Sequence, residues 1–182
     1  MQETKQQGFV VWMTGLSGAG KTTIALVLEQ ELKGRGLRIE RLDGDVVRES
    51  LTRDLGFSKE DRDKNIERVT FVAKLLSRNE VGVICSFISP YQAVRDMVRA
   101  QTTNFLEAFV DAPLDVVMAR DVKGLYQKAI AGEIPNFTGI SDPFEAPLTP
   151  DIHVRTDQES VAESAQIIID KLESLGLIPG VA

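Results

Sequence analysis

The sequence predicts an α/β fold in which a parallel sheet is covered by helices, and three observations carry that prediction. Short apolar runs rich in β-branched residues alternate with longer stretches of helical period, the pattern of buried parallel strands joined by crossover helices. A glycine-rich turn from Gly15 to Gly20 joins the first such run to the first helical stretch. The chain has 182 residues, 43% hydrophobic and 26% charged, enough apolar material for one core. That composition excludes a disordered tail, a collagen-like fibre and a disulfide-stapled miniprotein.

In chain order, Phe9-Val10-Val11-Trp12-Met13-Thr14 is the first expected strand, and residues 21–33 continue in helical period behind the glycine turn. A second strand is expected at 37–42 and a short helix at 45–52. Residues 59–78 form the third expected helix, with Ile66, Val69, Ala73 and Leu76 as its buried arc. The third strand, 81–87, contains Val81-Gly82-Val83-Ile84-Cys85, and a helix at 91–102 follows Pro90, which suits a first helical turn. A fourth strand at 105–111, a helix at 113–120 and a last strand at 152–156 come next. The last helix runs from about 158 to 175, where Gly176 and Pro179 close it. Residues 121–150 break the alternation with Pro135, Pro143, Pro147, Pro150, Gly124, Gly132 and Gly139, and with Phe137 and Phe144 among them. A long irregular stretch in this place reads as a mobile lid on a single domain spanning 1–182.

Charge and cysteine usage narrow the setting. Lys and Arg number 21 against 27 Asp and Glu, a net charge of −6, which argues against general nucleic-acid or acidic-membrane binding. An anionic ligand must therefore be held by local charge. Cys85 is the only cysteine, so no internal disulfide can form, and it reads as a small core hydrophobe in a reducing compartment. Residues 1–7 are short and polar, no run approaches about 18 apolar residues, and a cytoplasmic protein is expected.

Gly15-Leu16-Ser17-Gly18-Ala19-Gly20-Lys21-Thr22 matches G-x-x-x-x-G-K-[ST] at every fixed position, directly after a strand and before a helix. Such a loop wraps a phosphate with backbone N–H groups, while the helix N-terminus and the Lys21 ammonium add positive charge. The Thr22 hydroxyl is expected on Mg²⁺, and ATP or GTP is the expected nucleotide. The fold class sharpens to a P-loop NTPase fold: a five-stranded parallel sheet flanked by helices, with a lid segment.

The accompanying carboxylates separate the kinds of P-loop protein. Strand 81–87 ends in Ser86-Phe87-Ile88-Ser89, without the acidic residue that marks a motor, and no Asn-Lys-x-Asp element for guanine is present. Carboxylates lie instead in Asp43-Gly44-Asp45, with Arg48 a turn later, at the carboxyl end of the second strand where ligands gather. Asp45 there can accept a proton from an attacking hydroxyl or hold the metal through water, and Arg48 can neutralise an anionic acceptor. The competing reading makes Asp45 a helix N-cap. Arg62 and Asn65 fall inside the apolar arc of their helix, which is explained if its first turns face a polar ligand. Ser89 is an N-cap, a ligand contact or a nucleophile, and without a neighbouring base the third is the weakest. His153 reads as structural.

These strings together resemble the adenylylsulfate kinases (APS kinases). The resemblance runs from Trp12-Met13-Thr14 through Thr22-Thr23, Asp43-Gly44-Asp45-x-x-Arg48, Gly56-Phe57-Ser58-x-x-Asp61-Arg62-x-x-Asn65-Ile66-x-Arg68 and Ser86-Phe87-Ile88-Ser89-Pro90-Tyr91. It continues in Arg120-Asp121-x-Lys123-Gly124-Leu125-Tyr126 and Phe137-Thr138-Gly139-Ile140-Ser141-Asp142-Pro143. It implies transfer of the γ-phosphate of ATP to the 3′-hydroxyl of adenosine 5′-phosphosulfate (APS). ATP would lie on residues 15–23, including Leu16, Ser17, Ala19 and Thr23. APS would be held by Asp45, Arg48, Phe57, Arg62, Asn65, Arg68, Ile88, Ser89, Lys123, Gly124, Leu125 and Phe137, with Phe57 and Phe137 clamping its adenine. Thr22, Asp43 and Asp45 are the implied Mg²⁺ set, and Lys21, Asp45, Ser89 and Arg120 the catalytic one. The family tradition makes Ser89 a phosphoserine intermediate, whereas direct in-line transfer is physically simpler because it needs mainly alignment and charge neutralisation. A homodimer is also implied, and neither nucleic acid nor membrane is an expected partner. Kinases of shikimate, gluconate or a nucleoside monophosphate, or a regulatory module without turnover, are the competing readings; the retained Lys21, Thr22 and Asp45 speak against the last.

Overall fold

The computed structural model describes residues 6–180, so residues 1–5 of the polar N-terminal stretch lie outside the described residues. Five strands form one sheet in the order β2-β3-β1-β4-β5, and every neighbouring pair is parallel. They are β1 (Phe9–Thr14), β2 (Ile39–Asp43), β3 (Gly82–Ser86), β4 (Phe105–Asp111) and β5 (Ile152–Arg155). The helices are α1 (Lys21–Gly34), α2 (Gly44–Glu49), α3 (Lys59–Ser77), α4 (Gln92–Gln101), α5 (Leu114–Arg120), α6 (Leu125–Ile130) and α7 (Val161–Ser174).

Strand β1 is central and buried at all six positions, which is why it reads as a continuous apolar run rather than an alternating one. Its side chains still alternate by face. Phe9, Val11 and Met13 join the layer containing α1 and α7, where Ile24, Leu28, Leu32, Ile168 and Leu172 are buried. Val10 and Trp12 join Ile66, Val69, Ala73 and Val98 on the side of α3 and α4. Each such fully buried side chain contributes about 1.5–3 kcal/mol, so the sheet is clamped from both faces. From β1 the chain crosses to the edge strand β2, returns as β3 beside β1, and then passes to β4 on the other side of β1, so the crevice where the order reverses lies at the carboxyl end of β1.

Four expectations need correction. The stretch 121–150 is not wholly irregular: it contains α6, which Gly124 precedes as N-cap, and a Thr138–Asp142 bridge closing a tight turn. Helix α2 ends at Glu49 instead of 52, because buried Thr52 leaves the helix to donate to Asn65 Oδ1 at 2.7 Å. Helix α4 starts at Gln92, with Tyr91 as N-cap, so Ser89 is not the cap. Helix α7 starts at Val161 because Ser160 and Glu163 form a capping box. Among the described residues, no helix is long and apolar enough to cross a membrane.

Candidate active site

Turn geometry selects the glycines of the phosphate loop. At Gly15 φ is +154°, and a Cβ there would stand 2.2 Å from the Val110 carbonyl oxygen, so a side chain is excluded twice over. Gly20 caps α1 with φ +103° and no side-chain cap, leaving the first N–H groups of α1 free for a ligand. Lys21 is 8% exposed. Its ammonium donates to the Gly15 and Leu16 carbonyls at 2.7 Å each. Burial pushes its pKa down to about 7, against the opposing pull of Asp43. A polyphosphate would supply the missing counter-charge.

Beside the loop, Thr22 Oγ1 donates to Asp43 Oδ2 at 2.8 Å, while Asp43 Oδ1 accepts from the Asp45 N–H at 3.0 Å. The helix N-cap is therefore Asp43 and not Asp45. That frees the Asp45 carboxylate, which faces the cleft and pairs with the Lys123 ammonium from the lid. Hydroxyl and carboxylate oxygens at the phosphate end of the cleft suit Mg²⁺, a hard cation that takes one or two carboxylates and keeps several waters. Thr22 and Asp43 fit that role; Asp45 is engaged by Lys123.

The first turns of α3 do face the cleft. Ser58 caps the helix by accepting from the Asp61 N–H. Arg62 donates to Thr138 Oγ1 at 2.6 Å and Asp142 Oδ2 at 3.1 Å, and also to the Asn136 carbonyl. Asn65 is 5% exposed and accepts from Thr52. Arg48 donates to the Leu55 and Gly56 carbonyls and covers the Phe57 ring at 4.3 Å. Burial, and then the neighbouring Arg62 charge, hold the Arg48 guanidinium below its ordinary pKa. Two cations pressed together in this way favour an anion between them.

Arg68 is not part of this wall. It pairs through both guanidinium nitrogens with Asp54, bonds the Leu51 carbonyl, and holds Asp54 down to about 2. Its place at the margin of the helical arc turns it away. Arg120 also does not line the cleft: it donates to the Gly18 carbonyl at 3.2 Å and to Thr156, bracing the loop from behind. Gly124 shapes the lid without lining the cleft, and Leu16 lines a separate shallow depression under the lid. Ser89 is 3% exposed and its Oγ accepts from Trp12 Nε1 at 3.0 Å. Its φ of +38° is held by Arg95, which donates to its carbonyl at 2.7 Å.

The resulting cleft has a volume of about 630 Å³. Ser17, Gly18, Gly20, Lys21, Thr22 and Thr23 line one end, and Arg48, Phe57, Arg62, Asn65, Ile88, Ser89, Lys123, Leu125 and Phe137 line the remainder. The lid covers it: Tyr126 donates to the Ser17 carbonyl at 2.7 Å, and Tyr91 to Asp142 Oδ2 at 2.7 Å. Of the two rings expected to clamp an adenine, Phe137 packs edge-on against Tyr126 at 5.0 Å and Phe57 is covered by Arg48. Sequence reasoning groups Arg95 with Ser89-Pro90-Tyr91 but missed Asp142 as the counter-ion of Arg62 and Glu107 as the partner of Arg95, a buried pair at 2.8 Å that anchors Ser89. The polar Arg95 on a buried helix face was the available signal for the second.

An anion-binding loop at one end of a cleft, and cations with aromatic rings at the other, define a P-loop kinase that phosphorylates a small acceptor. The adenylylsulphate kinase family model matches residues 7–155. A probable adenylyl-sulfate kinase of Pseudomonas aeruginosa is 74% identical over 162 residues, covering 89% of this chain and 76% of that protein. The adenylyl-sulfate kinase of Halothermothrix orenii is 59% identical, covering 95% and 94%. A solved APS kinase CysC of Mycobacterium tuberculosis, in complex with AMPPNP and APS, superposes with a TM-score of 0.89 at 42% identity, covering 92% of this chain and 99% of that one. This chain belongs to the adenylylsulphate kinase family.

Proposed function

We infer that this protein transfers the γ-phosphate of ATP to the 3′-hydroxyl of APS, giving PAPS and ADP. One observation carries the reading: a single cleft of about 630 Å³ holds both the phosphate loop and the Arg48–Arg62 wall with its aromatic rings. A phosphosulfate needs cations at that wall, an adenine needs rings, and a triphosphate needs the loop.

In this reading Lys21 and the loop N–H groups draw negative charge from the β- and γ-phosphates, while Arg48 and Arg62 hold the acceptor's phosphosulfate. When APS arrives, Arg62 exchanges Asp142 for the ligand anion. Lys123 releases Asp45, whose carboxylate then takes the proton of the 3′-hydroxyl as that oxygen attacks phosphorus and the ADP oxygen leaves. Thr22 and Asp43 would hold Mg²⁺, which neutralises phosphate charge. Arg120 supports the loop at Gly18 rather than touching the transferred group. Ser89 is a positioning residue: its oxygen is engaged by Trp12, and among the described residues no side-chain base bonds it, which supports direct transfer over a phosphoserine. A homodimer working in the cytoplasm completes the proposal, and sedimentation at several concentrations tests the assembly.

The deciding assay supplies ATP with APS, shikimate, gluconate or a nucleoside monophosphate in parallel and follows ADP and the phosphorylated product. Turnover confined to APS is expected; a faster reaction with another acceptor overturns the assignment.

A further inference from the structure

Among the described residues, two buried side-chain atoms lack any hydrogen-bond partner, Asp63 Oδ1 and Ser86 Oγ. Asp63 is partly exposed and already pairs with Lys59 through its other oxygen. Ser86 has no such excuse. It is 4% exposed, ends β3, and follows the apolar Val83-Ile84-Cys85. A hydroxyl left unsatisfied there is costly, and an alanine would fill the same place without that cost.

Its position explains its chemistry. In the sheet register Ser86 lies opposite Asp43 of β2 on one side and Met13 of β1, two residues before the phosphate loop, on the other. It lines the cleft together with Thr22 and Asp43, themselves joined at 2.8 Å. Three oxygen-bearing side chains thus meet at the phosphate end of the cleft, and the third is free to give or accept one hydrogen bond. A neutral hydroxyl in that place suits the hydration shell of a hard divalent cation, which keeps several of its waters.

We propose that Ser86 is a positioning residue for the nucleotide's Mg²⁺: its hydroxyl completes the Thr22–Asp43 cradle by holding the hydration shell of the ion. This rests on reading the cleft as a Mg²⁺–nucleotide site, and the experiment separates the two. ADP binding is measured by calorimetry with and without Mg²⁺, and Mn²⁺ binding to the ADP complex by electron paramagnetic resonance, in the unaltered protein and in Ser86→Ala.

The expected result is that Ser86→Ala binds metal-free ADP as the unaltered protein does, but loses about tenfold or more of the metal-dependent gain and of Mn²⁺ affinity, as partners of metal-ligand shells usually do. The nucleotide-free variant should melt at an unchanged or higher temperature, since it sheds an unsatisfied hydroxyl. An equal metal-dependent gain in both proteins overturns the proposal, as does equal weakening of ADP with and without metal, which would mean a purely structural role. Absence of ADP binding in the unaltered protein would instead remove the nucleotide-site reading beneath it.

Discussion

Nucleotide binding should draw a proton from solution, and Lys21 is the reason. In the nucleotide-free protein burial holds its pKa at about 7 against the opposing pull of Asp43, while the ammonium donates to two backbone carbonyls at 2.7 Å. A diphosphate or triphosphate against Nζ restores the charged form and carries the pKa back toward the ordinary lysine range. At about pH 8 the free protein then holds roughly 0.1 proton on Lys21 and the complex about 1, a net uptake of about 0.9. The sign follows from the direction of the shift: the bound state binds more protons, so affinity falls as pH rises through the free-state pKa. Above about pH 7 the dissociation constant should rise nearly tenfold per pH unit, about 1.4 kcal/mol each. Calorimetry of ADP binding at about pH 8, in two buffers of different ionisation enthalpy, measures the uptake directly. Identical apparent enthalpies in both buffers would show that Lys21 is already charged in the empty loop, and the argument from its burial would fail.

Other substitutions probe the remaining groups. Asp45→Asn should lower kcat by about 10²–10⁴ while calorimetric ATP affinity stays nearly intact; near-normal kcat removes Asp45 as the base. Ser89→Ala should keep substantial turnover with no phosphoprotein detectable by mass spectrometry, yet melt earlier, because burying the Trp12 N–H without its partner costs about 1–3 kcal/mol. Complete loss of activity, with a trapped phosphoserine in the unaltered protein, refutes direct transfer. Arg95→Ala leaves the Glu107 carboxylate, 5% exposed at its side chain, with only the longer Arg99 ion pair at 3.7 Å, and should cost about 3 kcal/mol in denaturant unfolding, the low end of what breaking a buried pair costs. A loss below about 1 kcal/mol would mean the pair is better hydrated than its burial implies.

Local signals carried most of the framework. The phosphate loop, the alternation of strand and helix, and the inward-facing Arg62 and Asn65 were legible because each depends on residues close in sequence: a turn geometry, a period, a stripe. Strand placement accordingly matches the structure to within two residues at either end for every strand. Helix α6 escaped notice because only six residues between glycines form it, too few to show a period.

What tertiary structure alone decided is the identity of partners. The family resemblance implied ligand or catalytic roles for Arg62, Arg68 and Arg120 together, and of the three only Arg62 carried a residue-level signal besides, its place inside the apolar arc of its helix. Folding gives Arg68 to Asp54 and Arg120 to the backbone of Gly18 and Thr156, and leaves Arg62 in the cleft with Asp142. Likewise two neighbouring aspartates at the end of β2 divide their work only once α2 begins, Asp43 capping the helix and meeting Thr22 while Asp45 faces the lid. Composition and period determine which elements form; which charge is spent on the fold and which remains for a ligand depends on contacts between residues far apart in the chain, and no local pattern encodes those.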